Sequence, residues 1–206
     1  MRKEIKTELT KEKILAAAMQ EFGTNGYAAS SMNNICSGGI SKGLLYHNYE
    51  NKDALYLACV RQCFDTLTKY LEAAEIGADL HRYLAARLQF FHEHENEARL
   101  FYESVLQPPE TLKEEINKAR AEFDSYNLEL YRRILGTFSL RSGITEEDAL
   151  HYLKLMQDMF NGYFSSPAAR GLSFDDTLSA HEEGLSRLLD FMLYGIAKRG
   201  EESCLS

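Results

Sequence analysis

The stretch Ser31 to Tyr49, SMNNICSGGISKGLLYHNY, constrains this chain more than any other. Two short runs able to form helix flank Ser37, Gly38 and Gly39, and adjacent glycines permit a tight turn between helices meeting at a steep angle. Ser30 or Ser31 starts the first run, Met32 to Cys36, and Ser41 starts the second, because hydroxyls satisfy the free N–H groups of a first turn. Ile40 and Leu45 are expected to point inward against Ile35. Lys42, Gly43, Leu44, Tyr46 and His47 are then left facing outward. A merely solvated helix would carry Glu, Lys and Gln there. This one presents a cation, bare backbone, a leucine, a phenol and an imidazole, each with a use in a DNA major groove. Lys42 suits guanine O6/N7 or a phosphate, Leu44 a thymine methyl, Gly43 a close approach, and Tyr46 and His47 phosphate oxygens.

From Thr10 to Leu57 the ordered marks are Ile14-Leu15, Ala18, Phe22, Gly26-Tyr27, Ser31, Ile35, Gly39-Ile40-Ser41-Lys42-Gly43, Leu45-Tyr46, Tyr49, Lys52 and Leu55. Taken together they resemble the N-terminal DNA-binding domain of the tetracycline-repressor (TetR/AcrR) family of bacterial transcription regulators. The pattern departs from the family at Gly38, where alanine is usual, and at Asn48, where an aromatic residue or histidine is common. The resemblance implies a DNA-binding domain over residues 1–50 and an effector-binding and dimerisation domain over residues 51–206. It also implies a repressor that binds a palindromic operator as a homodimer and is released by a small, largely apolar effector. The expected DNA contacts are Ser31, Asn33, Ser41, Lys42, Gly43, Leu44, Tyr46, His47 and Lys52. A helical protein-interaction module without operator binding, and a regulator of the same fold acting as an activator, stand as the alternatives.

Low proline content and scarce β-branched alternation point to an all-α fold of about nine helices: a three-helix N-terminal domain with the helix-turn-helix, and a larger helical C-terminal domain. No apolar run reaches the roughly 18 residues of a membrane span. The N-terminal MRKEIKTELTKEK lacks an apolar segment of the kind a signal peptide needs, so a cytoplasmic location is expected. The net charge of −8 is unevenly spread: the first 60 residues hold seven Lys/Arg against six Asp/Glu, and the rest hold 16 against 25. Local cations, not total charge, neutralise phosphates, so an acidic body is compatible with DNA binding.

Met1 to Leu9 reads as a frayed arm, and Thr10 as the cap of a first helix ending between Gly23 and Gly26. Tyr27 is expected to pack that helix onto the helix-turn-helix, its hydroxyl within reach of a phosphate. Asn51 caps a fourth helix whose first turn brings Lys52 to the DNA backbone as a phosphate clamp. A fifth helix, Leu80 to His94, is read with Leu80, Leu84, Leu88 and Phe91 inward. A sixth covers Glu97 to Leu106, and one long apolar period spans Thr111 to Phe138. The last two helices, about Thr145 to Ser165 and Ser173 to Lys198, are apolar on two faces and must bury both. Tyr152, Leu155, Met159, Leu185, Leu188 and Met192 are assigned to a second subunit, in an isologous four-helix contact. Given the resemblance, Cys63, Phe64, Phe90, Tyr102, Tyr126, Met156 and Phe160 are assigned to an effector pocket.

No phosphate loop, GxSxG or HExxH motif is present, so no enzyme activity and no catalytic residue is expected. No cofactor or metal is expected either. Cys36, Cys59, Cys63 and Cys204 lack a CxxC spacing, and His92 and His94 point in different directions on a helix. Cys59 and Cys63, one helical turn apart, are read as core thiols, with metal ligation or oxidant sensing as the alternatives.

Overall fold

The computed structural model describes residues 2–37, 39–169 and 171–196. Among these, ten α-helices and two short 3-10 turns carry the fold, without strands. They are α1 (Arg2–Ala29), α2 (Met32–Ser37), α3 (Lys42–Asn48), α4 (Lys52–Ala73), α5 (Leu80–Glu93), α6 (Glu95–Leu106), α7 (Lys113–Ala119), α8 (Ala121–Leu135), α9 (Glu146–Ser165) and α10 (Phe174–Ile196). None of the described helices is long and apolar enough to cross a membrane. Gly38 and the last two residues assigned to the final helix lie outside the described residues.

Three features differ from expectation. Helix α1 begins at Arg2, not at Thr10, because Arg, Lys, Glu and Leu dominate the opening segment and neither Gly nor Pro interrupts it. The single helix read over Thr111 to Phe138 is a 3-10 turn at Glu110–Leu112 followed by α7 and α8, parted at Arg120. Ile116, Ala119, Phe123, Leu130 and Ile134 are all buried, so the apolar period runs through the break and conceals it. In α5 the buried residues are Tyr83, Ala86, Arg87, Phe90 and Phe91, whereas Leu88 is 37% exposed and Leu80 and Leu84 are half-buried.

The chain forms two compact units. One takes residues up to Tyr70 together with Gln89–Phe123, and the other takes Leu71–Leu88 with residues from Asp124 onward. In the first unit Ile14, Ala18 and Phe22 form the buried stripe of α1. Phe22 meets Tyr56 of α4 edge-on, with ring centroids 5.1 Å apart, and Phe64 of α4 meets Phe101 of α6 at 5.4 Å. Helix α6 lies close against α1 at Gly23, where a Cβ would fall 2.7–2.9 Å from atoms of Asn96. Any larger residue there would force the helices apart.

In the second unit, Thr145 and Asp148 form a reciprocal capping box at the start of α9, and Ser173 caps α10 by accepting from the Asp176 N–H at 3.1 Å. The core contains an ion pair. Arg87 Nη2 lies 2.9 Å from Glu182 Oε1 and Arg87 Nε 3.2 Å from Oε2, a two-pronged contact between α5 and α10 with both side chains buried. His181 Nδ1 sits 3.3 Å from Glu182 Oε1, and its Nε2 sits 3.0 Å from Asn161 Oδ1. Burial alone would push the Glu182 carboxyl up. The Arg87 charge and the hydrogen bonds from His181 and Arg87 outweigh it and hold the group far below the usual carboxylate range.

Removing one partner of a buried pair strands the other charge. Arg87→Met or Glu182→Gln should each lower unfolding free energy by about 3–5 kcal/mol, and the double variant Arg87→Met/Glu182→Leu by less than the sum. Because folding lowers the Glu182 pKa, its stabilisation is complete above the unfolded value of about 4.3 and drains away as pH falls below it. Denaturant titrations of wild type and Glu182→Gln between pH 7 and pH 3 check both points, since the gap between them should narrow toward acid.

Candidate nucleic-acid interface

Helix α3 has seven residues and is tied down at both ends. Ser41 Oγ accepts from the Leu44 N–H at 3.3 Å, and the Tyr49 N–H closes the far end on the Leu45 carbonyl at 2.9 Å. Leu45 is fully buried and Ile35 of α2 nearly so, while Ile40 is half-buried, as the sequence pattern anticipates. Gly39 takes φ of 90° in the turn, a conformation that suits glycine. Helix α2 starts at Ser31, whose Oγ accepts from the Asn34 N–H at 3.2 Å, and Glu21 of α1 accepts from the Asn34 side chain at 2.9 Å. Asn48 donates to the Leu44 carbonyl at 2.8 Å, so it holds its own helix.

The outward set falls where expected. Ser41, Lys42, Gly43, Leu44, Tyr46 and His47 are exposed on α3, with Leu44 at 40% and Tyr46 at 51%; Asn33 is exposed on α2 and Ser31 half-buried at its start. Tyr27 and Lys52 are placed differently. The Tyr27 hydroxyl donates to Asp53 Oδ1 at 2.6 Å, and that bond together with burial pushes the phenol up to about 12. Lys52 Nζ donates to the carbonyls of Tyr27 at 2.8 Å and Ser30 at 3.3 Å, and it lies 4.1 Å from the centre of the Tyr27 ring. The ammonium is therefore turned to the protein's own backbone.

Sequence reasoning did not single out Glu103 of α6. Its Oε1 accepts from the Tyr27 N–H at 2.8 Å and its Oε2 from the Tyr56 hydroxyl at 3.1 Å. Burial pushes this carboxyl up from its ordinary range, against the pull of the two hydrogen bonds and the Lys52 charge. The only local signal was Gly26, which announces a break in α1 and hence a following N–H in need of an acceptor.

The residues assigned to an effector pocket divide between the units. Cys63, Phe64, Phe90 and Tyr102 are buried in the first, where Phe91, Phe101 and Phe123 surround them; Tyr126, Met156 and Phe160 are half-buried in the second. The second unit also holds a groove of roughly 620 Å³ lined by Arg141, Ile144, Asp148, Ala149, His151, Tyr152, Met156, Leu188, Phe191 and Met192. Of the seven assigned residues, Met156 lines it. The residues assigned to a second subunit need correction on α10. Tyr152, Leu155 and Met159 are exposed on α9, but Leu185 (5%) and Met192 (4%) face the unit's own core and Leu188 is half-buried. Among the described residues of α10, the large apolar side chains left exposed are Phe191 at 75% and Tyr194 at 71%.

The capped second helix of the helix-turn-helix thus stands exposed and partly apolar at the surface of the first unit, the form in which such a motif can enter a DNA groove. Residues 14–59 match the family described as bacterial regulatory proteins, tetR family. Over 54 residues the chain is 44% identical to the HTH-type transcriptional regulator UidR of Escherichia coli K12, a match spanning 26% of this chain and 28% of UidR. Among solved structures, FadR of Bacillus subtilis in complex with stearoyl-CoA aligns at a TM-score of 0.63 and 16% identity, covering 90% of this chain and 99% of that one. A TetR-family regulator from Agrobacterium tumefaciens aligns at 0.60 and 16%, covering 93% and 100%. At these identities the likeness is one of fold, and it extends over nearly the whole chain.

Cys59 and Cys63 are buried, and burial pushes the first thiol up to about 12 and the second well above its ordinary value. A thiol held protonated is a poor nucleophile. Iodoacetamide at pH 8 should leave both unmodified in the folded protein and alkylate both after unfolding, as read by peptide mass spectrometry.

Proposed function

We propose that this chain is a transcriptional repressor of the cytoplasm that binds a palindromic duplex as a homodimer and releases it when a small, largely apolar effector binds. The observation that carries the reading is the exposed face of α3: Lys42, Gly43, Leu44, Tyr46 and His47 share it, above a buried Leu45 that fixes the helix in its domain. Residues 1–50 form the reading head in this account. Lys42 and Leu44 discriminate bases, while Ser31, Asn33, Ser41, Tyr46 and His47 hold phosphates and register, with Gly43 allowing the approach.

Dimerisation is supported by Tyr152, Leu155, Met159 and Tyr163 on α9 and by Phe191 and Tyr194 on α10, large apolar side chains left exposed on two long neighbouring helices. A two-fold contact through them buries their exposed area and pairs two reading heads, as half-sites about 34–36 Å apart demand. The effector reading is supported by the groove of the second unit, roughly 620 Å³ and mostly apolar in its lining, and by a same-fold regulator, FadR, described in complex with stearoyl-CoA. Tyr152 and Phe191 belong both to this groove and to the exposed face, so a bound ligand would bear on the contact between copies. A coupling of about 1–3 kcal/mol would weaken operator affinity roughly 5–150-fold.

Selection of bound sequences from a random duplex pool tests the reading. A two-fold symmetric consensus is expected, with binding that weakens steeply with salt. Lys42→Ala should cost about 1–3 kcal/mol at one operator position and relax preference there. No enriched duplex, or Lys42→Ala and Tyr46→Ala variants that bind as wild type, would overturn the proposal. Phe191→Glu should shift the protein to monomer in light scattering and lower operator affinity with it.

A further inference from the structure

We infer that Glu103 and Lys52 are positioning residues for the recognition helix, gripping the two ends of the single turn at the end of α1 that follows the break at Gly26 and leads into the helix-turn-helix. The turn exists because Gly26 leaves helical geometry, with φ 71° and ψ 168°. Past it, Tyr27 to Ser30 make one turn, closed by the Ser30 N–H and Oγ on the Gly26 carbonyl at 3.2 and 2.6 Å. One turn cannot satisfy its own ends, since its first N–H and last carbonyls have no partners within it. Here α6 supplies a carboxylate for the first, Glu103 Oε1 on the Tyr27 N–H at 2.8 Å. Helix α4 supplies an ammonium for the last, Lys52 Nζ on the Tyr27 and Ser30 carbonyls at 2.8 and 3.3 Å.

The signs match the polarity of the turn, anion at its N-terminal end and cation at its C-terminal end. Glu103 also fits closely, since a Cβ on Gly26 would come within 3.0 Å of its Oε1. The near end of α6 is equally confined by Gly23 against Asn96. Helix α6 therefore cannot slide on α1 without carrying the Tyr27 turn, and Ser31 with α2 follows directly from that turn. For Lys52 this is a role other than holding a phosphate.

The affinity part of this inference rests on the DNA-binding reading; the backbone part does not. Full-length Glu103→Gln keeps an acceptor of the same reach without the charge, and Glu103→Asp keeps the charge but falls short by one methylene. Amide exchange of the segment holding Tyr27 should quicken by about tenfold or more in Glu103→Asp and stay near wild type in Glu103→Gln, with α9 and α10 unchanged. On the duplex selected from the random pool, Glu103→Asp and Lys52→Met should bind about five- to tenfold more weakly, with the slope of log affinity against log salt unaltered.

A slope reduced by about one unit in Lys52→Met would assign that lysine to a phosphate and overturn its half of the inference. Wild-type exchange at Tyr27 in Glu103→Asp would overturn the other half, as would Glu103→Gln binding more tightly than wild type, the result expected if this acid merely repelled DNA. Should the wild-type chain select no duplex, the regulator reading fails, and amide exchange alone upholds or overturns the grip.

Discussion

A peptide N–H removed from water must find an acceptor, and a helix broken near its end leaves several that have none. Gly26 creates this situation in the middle of the first unit. The break directs the chain from α1 into the helix-turn-helix, and the polar groups it frees are satisfied by side chains from other helices, Glu103 of α6 and Lys52 of α4. Tyr27 adds its hydroxyl to Asp53 and its ring to Tyr56, so a junction that would otherwise be loose is held by both hydrogen bonds and aromatic packing. The placement of α2 and α3 depends on this junction, because their own shared core is little more than Ile35, Leu45 and Met32.

The second unit is held by a different means. Arg87 donates two hydrogen bonds to Glu182 inside a core that is mainly aliphatic and aromatic, with His181 beside the carboxylate. Such a pair contributes little net stability over a greasy substitute, but it tolerates only one register between the helices that bear it. Gly184, one turn away from His181 on α10, lets Phe160 of α9 approach to where a Cβ would sit at 2.9 Å. The ion pair sets α10 against α5 and the close approach at Gly184 sets it against α9, and together they decide which side chains of α10 remain on the outside.

The helix-turn-helix was legible in the sequence because its determinants are local: two capping serines, a glycine at the turn, and Ile35 and Leu45 spaced to share a core. What escaped was set by distant residues. Tyr27 read as a packing residue and Lys52 as a phosphate clamp, but the groups that hold them, Glu103, Asp53 and two backbone carbonyls, could not be read from their own positions. The buried face of α5 was misphased because Arg87 looks like a solvent residue unless Glu182, 95 positions away, is known to meet it. Helix α10 shows two apolar stripes, and periodicity cannot say which is inward; Leu185 and Met192 are, while Phe191 and Tyr194 are not. The extent of α1 was underestimated for the opposite reason, since Thr10 offered a plausible cap in a stretch with no need of one.

Leu44 and Tyr46 stand 40% and 51% exposed on the free protein, an unusual expenditure of apolar surface on so short a helix. Water ordered over them must leave when a groove closes on α3. Association with DNA would then carry a negative change in heat capacity beyond that of ion exchange at phosphates, growing more exothermic as temperature rises.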